Sequence, residues 1–227
     1  PPNTEGEPTA KCLVFVTPDA QRSMNTFLGA STELRPSDIS KDLIGRSKIL
    51  YLEGYLWDPP NAKKAFLEAI NIAKAADTKV ALSLSDAFCV DRYRSEFLDL
   101  VSTHVDILFG NETELLSLYQ TKNLNEAIGL VQDDCEIVAV TRDSRGSIVI
   151  KNRRVFEIAA QKIDTVIDTT GAGDLYASGF LYGITRDMDI RQCGRLGGLV
   201  ASSIITQFGA RPEESLMPLI DRVAVSN

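Results

Sequence analysis

The residues best suited to chemistry lie in the stretch Asp168-Thr169-Thr170-Gly171-Ala172-Gly173-Asp174. Small residues let a backbone turn present several N–H groups together, and a helix starting there adds the positive end of its dipole, so such a turn suits an anion. Asp174, in the first turn of that helix, adds a carboxylate able to take a proton. Donors for developing negative charge beside a base outline a phosphoryl-transfer site. The same residues also read as an ordinary strand-to-helix turn, with Thr169 or Thr170 as cap and Asp174 complementing the dipole. Two other polar clusters carry the same double reading. In Gly110-Asn111-Glu112-Thr113-Glu114, Asn111 and Glu114 stand three apart and share a helix face, as site groups, as the halves of a capping box, or as both. Thr141-Arg142-Asp143-Ser144-Arg145-Gly146 reads either as a ligand loop or as a hairpin turn.

The elements that must position these clusters follow from the hydrophobic pattern. Lys11 to Thr17 and Arg22 to Leu28 form a strand pair about the turn Pro18-Asp19-Ala20-Gln21. From Ile49 the pattern becomes strands alternating with helices. Strands are predicted at 49–52, 79–84, 105–109 and 136–141, and helices at 61–76 (Phe66, Ile70 and Ala73 on one face), 91–101, 112–119 and 124–131. Ser147 to Lys151 and Arg154 to Ile158 read as an antiparallel hairpin near the sheet edge. An extended run at 165–167 leads into the glycine turn and a helix at 175–184, followed by a long small-residue helix over 189–208. Such alternation implies parallel βαβ units with helices on both faces, and ligands in such sheets bind beyond the carboxyl ends of the strands. Three polar clusters on that rim are better explained by a nucleotide-phosphate site than by three unrelated loops, since a polyphosphate needs donors, a Mg²⁺-organising carboxylate and a base together.

Composition narrows the classes. The chain has 227 residues, 44% hydrophobic and 24% charged, which is ordinary for a globular protein. A net charge of −7 argues against a nucleic-acid or anionic-membrane binder, because no basic surplus is available to neutralise phosphates. No signal peptide or long apolar run is seen, and a cytoplasmic setting is expected. Cys12, Cys89, Cys135 and Cys193 are widely spaced and read as core thiols rather than metal ligands. His104 is the only histidine, which excludes a histidine-rich zinc centre.

Asp168 to Asp174, in its wider context from Val166 to Phe180, resembles the C-terminal signature of the ribokinase/PfkB carbohydrate-kinase family. Val105-Asp106-Ile107-Leu108-Phe109-Gly110-Asn111-Glu112-Thr113-Glu114 is similar to the adenosine kinase version of that family's N-x-x-E segment, and Ala201-Ser202-Ser203-Ile204-Ile205 with Gly209 to its C-terminal helix and turn. The resemblance runs from Lys11 onward. It implies a ribokinase-like α/β fold, a doubly wound and mostly parallel sheet with helices on both faces, plus a small partial β lid. Residues 1–30 would form the partial lid hairpin and an N-terminal arm, and 31–227 the nucleotide-binding domain. It implies ATP-dependent transfer of the γ-phosphate to a primary hydroxyl of a sugar or nucleoside. Asp174 would be the base, and Gly171, Ala172 and Gly173 the anion hole. Asn111 would approach the phosphates, Thr141 and Gly146 would belong to the nucleotide loop, and Gly198 would lie beside the adenine. Glu114 would organise Mg²⁺ through water. The carbonyls of Asp168 and Thr170 match positions that hold a monovalent cation such as K⁺ in some relatives. Phe88 and Leu28 are the substrate-side candidates, and a homodimer through the lid is a further expectation. Asp143 stands where a glycine is usual, which puts the loop's conformation in question. Relatives carry roughly a hundred further residues before the point matching Lys11, enough to supply further strands of a domain. The alternative expectation is therefore a catalytically incompetent nucleotide-binding module or a partner subunit lacking its substrate half.

Overall fold

The computed structural model describes residues 6–224. Of the expected N-terminal arm, residues 1–5 lie outside the described residues. Strands β1 (Lys11–Val16) and β2 (Arg22–Phe27) pair antiparallel as a separate two-stranded sheet. Short 3₁₀ turns at Gly29–Glu33 and Pro36–Asp38, then helix α1 (Lys41–Gly45), lead into β3 (Ile49–Glu53). A 3₁₀ turn at Gly54–Trp57 precedes α2 (Pro60–Ala75), with Pro60 in its first turn, where its missing N–H costs nothing. The chain continues through β4 (Lys79–Ser83), α3 (Ala87–Arg92), α4 (Arg94–Thr103) and β5 (Ile107–Asn111). Next come α5 (Glu112–Tyr119), α6 (Leu124–Asp134), β6 (Ile137–Thr141), β7 (Ser147–Lys151) and β8 (Arg154–Ile158). Helices α7 (Ala172–Thr185), α8 (Ile190–Ile204) and α9 (Pro218–Ala224) complete it.

The main sheet has the order β3-β4-β5-β6-β7-β8, parallel from β3 to β6 and antiparallel at β6–β7 and β7–β8. Period-2 alternation divides its side chains between two cores. Val80, Leu82, Leu108, Val138 and Val140 face Phe66, Ile70, Phe97, Leu115 and Val131 of α2 and α4 to α6. Ala81, Ile107, Phe109, Ala139 and Val149 face Tyr176, Phe180 and Cys193 of α7 and α8. Both faces are therefore covered, as continuous apolar strands require. No helix of the described residues is long and apolar enough to cross a membrane.

Four expectations are corrected. The helix expected over 91–101 is two helices broken at Tyr93, whose N–H goes to Cys89 O. Residues 165–167 form no strand: the Ile167 N–H is donated to Ile205 O at 2.8 Å rather than to a ladder. The long helix expected to reach residue 208 ends at Ile204, because the following segment is pulled onto the glycine turn. Cys12 is exposed on the uncovered hairpin, whereas Cys89, Cys135 and Cys193 are buried.

Candidate active site

Register brings two of the clusters together at the carboxyl end of the sheet. Asn111, last in β5, pairs with Thr141, last in β6, and Thr141 pairs with Ser147, first in β7. The Ser147 hydroxyl lies 2.8 Å from the hydroxyl of Tyr176 in α7, two residues beyond Asp174. One row of register partners thus ties the two strand-end clusters to the helix that starts at the glycine turn.

Asn111 and Glu114 form a capping box. Asn111 Oδ1 accepts the Glu114 N–H at 2.9 Å, and Glu114 accepts the Asn111 N–H and side-chain amide at 2.9 and 2.7 Å. Glu114 is 6% exposed. Burial pushes its carboxyl up to about 7, Asp86 and Glu53 add to the rise, and the Asn111 N–H opposes it. Such a carboxylate gains from any cation brought to it.

The β6–β7 connection is a tight reversal, so the hairpin reading holds for its backbone. Asp143 takes the glycine's place with the glycine's conformation, φ +51°, which aspartate tolerates better than most residues. At Gly146 (φ +82°) a Cβ would fall 2.0 Å from Ile158 O, so no side chain fits. Arg145 bridges to Glu112 at 2.6 Å, linking this turn to the first turn of α5.

Gly171 (φ +79°) is the N-cap of α7, not Thr169 or Thr170, and no side chain caps the helix's first N–H groups. A Cβ on Gly171 would lie 2.7 Å from that of Ala210, whereas one on Gly173 would meet no atom within 4 Å. Gly171 is therefore packed and Gly173 open to approach. Thr170 donates its N–H and hydroxyl to Asp168 Oδ1 at 2.9 and 2.6 Å, and Gly209 donates its N–H to Oδ2 at 2.9 Å. Burial opposes the charge on Asp168, but these donors and nearby Arg22 outweigh it and hold the carboxyl below its usual range. Arg22 of the hairpin also donates to the Thr169 hydroxyl. Asp174 is exposed, yet desolvation by the protein around it raises its carboxyl above the ordinary value.

Further acidic and aromatic groups join this rim that the three motifs did not include. Glu53 ends β3 and accepts the Ser85 hydroxyl at 2.9 Å, while Ser85 accepts the Gly54 N–H at 2.9 Å. Burial raises the Glu53 carboxyl, and the like charge of Asp174 adds to it. Burial likewise raises Tyr55, followed by the charges of Asp86, Glu114, Asp174 and Glu53. Glu53 closes β3, and Ser85-Asp86 follow β4 after one residue, so the strand-end rule covers their positions but does not say which neighbours they meet. Phe88, 80% exposed, follows Asp86 on this end and donates its backbone N–H to Asp86 Oδ1 at 3.2 Å, and Leu28, 53% exposed, sits at the foot of the hairpin. Gly198 lies on α8 with no atom within 4 Å of a Cβ position, leaving open space on that face. Among the described residues, no three His, Cys, Asp or Glu side chains converge to hold a metal ion by themselves.

The fold is shared with solved structures of kinases. A probable sugar kinase from Rhizobium etli CFN 42 superposes with a TM-score of 0.93 at 49% identity, covering 96% of this chain and 66% of that one. The adenosine kinase from Sinorhizobium meliloti gives 0.93 at 47% identity, covering 96% and 67%. A 5-dehydro-2-deoxygluconokinase from Listeria monocytogenes is 29% identical over 86% of this chain and 61% of its own length. The chain therefore spans only part of the length of these relatives. The model of the pfkB family carbohydrate kinases matches residues 2–216, and the chain belongs to that family.

Proposed function

We propose that the chain carries the phosphoryl-transfer site of an ATP-dependent kinase acting on a primary hydroxyl of a sugar or nucleoside. The observation that carries this reading is the juxtaposition of an uncapped helix start, open to approach at Gly173, with Asp174 one residue further on. ATP, when bound, supplies the transferable phosphoryl group, and Mg²⁺ neutralises its charge. The chain's residues fit both. Gly171, Ala172 and Gly173 form the anion hole, where N–H groups that no side chain caps stabilise charge as it develops, the Ala172 N–H being held by Thr169 O at 3.2 Å until an anion takes it. Asn111, Thr141 and Gly146 line the adjoining rim for the nucleotide, and the open face at Gly198 receives its base. Glu114, a desolvated carboxylate at the strand end, would hold Mg²⁺ through water. A rim that also holds Glu53, Asp86 and Asp174 repels a bare polyphosphate, so the divalent ion is a condition of binding. The carbonyls of Asp168 and Thr170 are the candidate K⁺ ligands.

Asp174 takes the proton from the acceptor hydroxyl, and its raised carboxyl makes it a better base than a fully solvated aspartate. Phe88 and Leu28 are the side chains offered to the acceptor. The same reading carries a cytoplasmic setting, where ATP is supplied, and a division into a lid (1–30) and a nucleotide-binding domain (31–227). It also carries assembly of two copies through the hairpin.

In the full-length protein, Asp174→Asn is expected to lower kcat about a hundredfold or more while nucleotide affinity changes little. Coupled-assay turnover and calorimetry measure the two, and near-normal turnover rejects Asp174 as the base. The share of the three relatives named above that the chain spans, 61% to 67%, favours a second reading. There this segment binds nucleotide and another segment or chain completes the acceptor side. Calorimetric ATP binding by the 227-residue chain without turnover of any sugar or nucleoside is the result that reading expects.

A further inference from the structure

The glycine turn has no strand before it, so no sheet ladder fixes its shape. Beside the backbone bond from the Ile167 N–H to Ile205 O, what holds it is a buried carboxylate. Asp168 is 2% exposed and uses both oxygens, Oδ1 within the turn on the Thr170 N–H and hydroxyl, and Oδ2 across to the Gly209 N–H. The segment carrying Gly209 (φ +84°) is the one whose Ala210 packs against Gly171. One side chain therefore pins the turn both to itself and to the segment that supports it. The hairpin meets the same place, through Arg22 on Thr169.

We propose that Asp168 is a positioning residue: its carboxylate, through these three hydrogen bonds, sets where the Gly171 to Gly173 amides point. The hairpin acts on the same turn through the neighbouring Thr169. This role belongs to the side chain, and is separate from any the Asp168 carbonyl has toward a monovalent cation. Asparagine at 168 keeps the size but turns an N–H₂ toward one of the donors, so at least one bond is lost and two donors face each other.

The test compares Asp168→Asn and Thr170→Val with the wild-type full-length protein. Thr170→Val removes only the hydroxyl donor and leaves the carboxylate. Hydrogen exchange is followed at 168–175 and 205–212, with β4 and β5 as internal reference. Asp168→Asn is expected to speed exchange at both segments about tenfold or more, and Thr170→Val at the first alone, with the reference strands unchanged. Repeating it with choline in place of K⁺ is expected to leave that difference in place. The kinetic arm rests on the proposed phosphotransfer: kcat per folded molecule falls about tenfold to a hundredfold in Asp168→Asn, with KM for nucleotide within about threefold.

Unchanged exchange at 205–212 in Asp168→Asn overturns the proposal. So does a difference that vanishes without K⁺, since the cation would then be what holds the turn. Normal kcat in a variant with fast exchange also overturns it. If Asp168→Asn does not fold, unchanged exchange at 168–175 in Thr170→Val serves the same purpose. A wild-type protein inactive on every sugar and nucleoside rejects the proposed function alone, and the exchange arm still decides the role of Asp168.

Discussion

Glu114 holds two tasks in tension. As half of a capping box it accepts two hydrogen bonds from Asn111, and as a buried carboxyl it titrates near 7 instead of 4.5. Between those values the folded chain keeps a proton that the unfolded chain has released. Its contribution to stability is thus full below about 4.5 and drains away as pH rises to about 7. Glu114→Gln is expected to remove that slope, on the order of 3 kcal/mol across the interval, in urea unfolding followed against pH. It should also raise the Mg²⁺ concentration for half-maximal turnover about tenfold. A stability profile as steep as the wild type's would show that Glu114 does not titrate there. Asn111 and Glu114 were legible because a cap and a site group need the same spacing, and the structure shows the cap directly. Glu53, Ser85, Asp86 and Tyr55 were not, because each belongs to the rim only through neighbours from other strands.

At the scale of elements, α7 and α8 lie close enough that glycines are the contact. A Cβ on Gly197 would sit 2.8 Å from Tyr176 O and 3.2 Å from its ring, and one on Gly183 would sit 2.8 Å from Cys193 Sγ. Gly197→Ala is therefore expected to destabilise the fold by about 1–3 kcal/mol. Because Tyr176 follows Asp174 by two residues, the same change should lower turnover. Gly198→Ala, one position on and in open space, should instead gain up to about 1 kcal/mol of helix stability. Chemical denaturation of both variants checks the pair, and equal effects would show that the packing is looser than it looks. Close packing of the small residues was readable in the sequence, but the end of α8 was not. Local propensity allowed the helix to run to 208. Ile205 instead gives its carbonyl to the Ile167 N–H, and Gly209 its N–H to Asp168, so tertiary bonds outweigh local preference.

For the whole molecule, alternating strands and helices made the layered sheet legible, since β4 to β6 are buried on both faces. The hairpin is different. Leu13 and Phe15, each 63% exposed, share one face with Phe27, 48% exposed, and a two-stranded sheet alone is marginal in water. If a second copy covers this face, Phe15→Lys should weaken the dimer about a hundredfold, as loss of a central aromatic anchor does. Sedimentation velocity at micromolar concentration checks this. A monomeric wild type, or a variant that dimerises equally well, rejects the assembly.

The strand order also bears on how the molecule comes to exist. From β3 to β8 every strand pairs with its chain neighbour, so the sheet can grow in the order of synthesis, through helical crossovers from β3 to β6 and short turns from β6 to β8. The glycine turn is different, because its shape waits for the loop at 205–210, which follows α8. A nascent chain would thus pair β3 to β8 before the glycine turn, the proposed anion site, could take its shape.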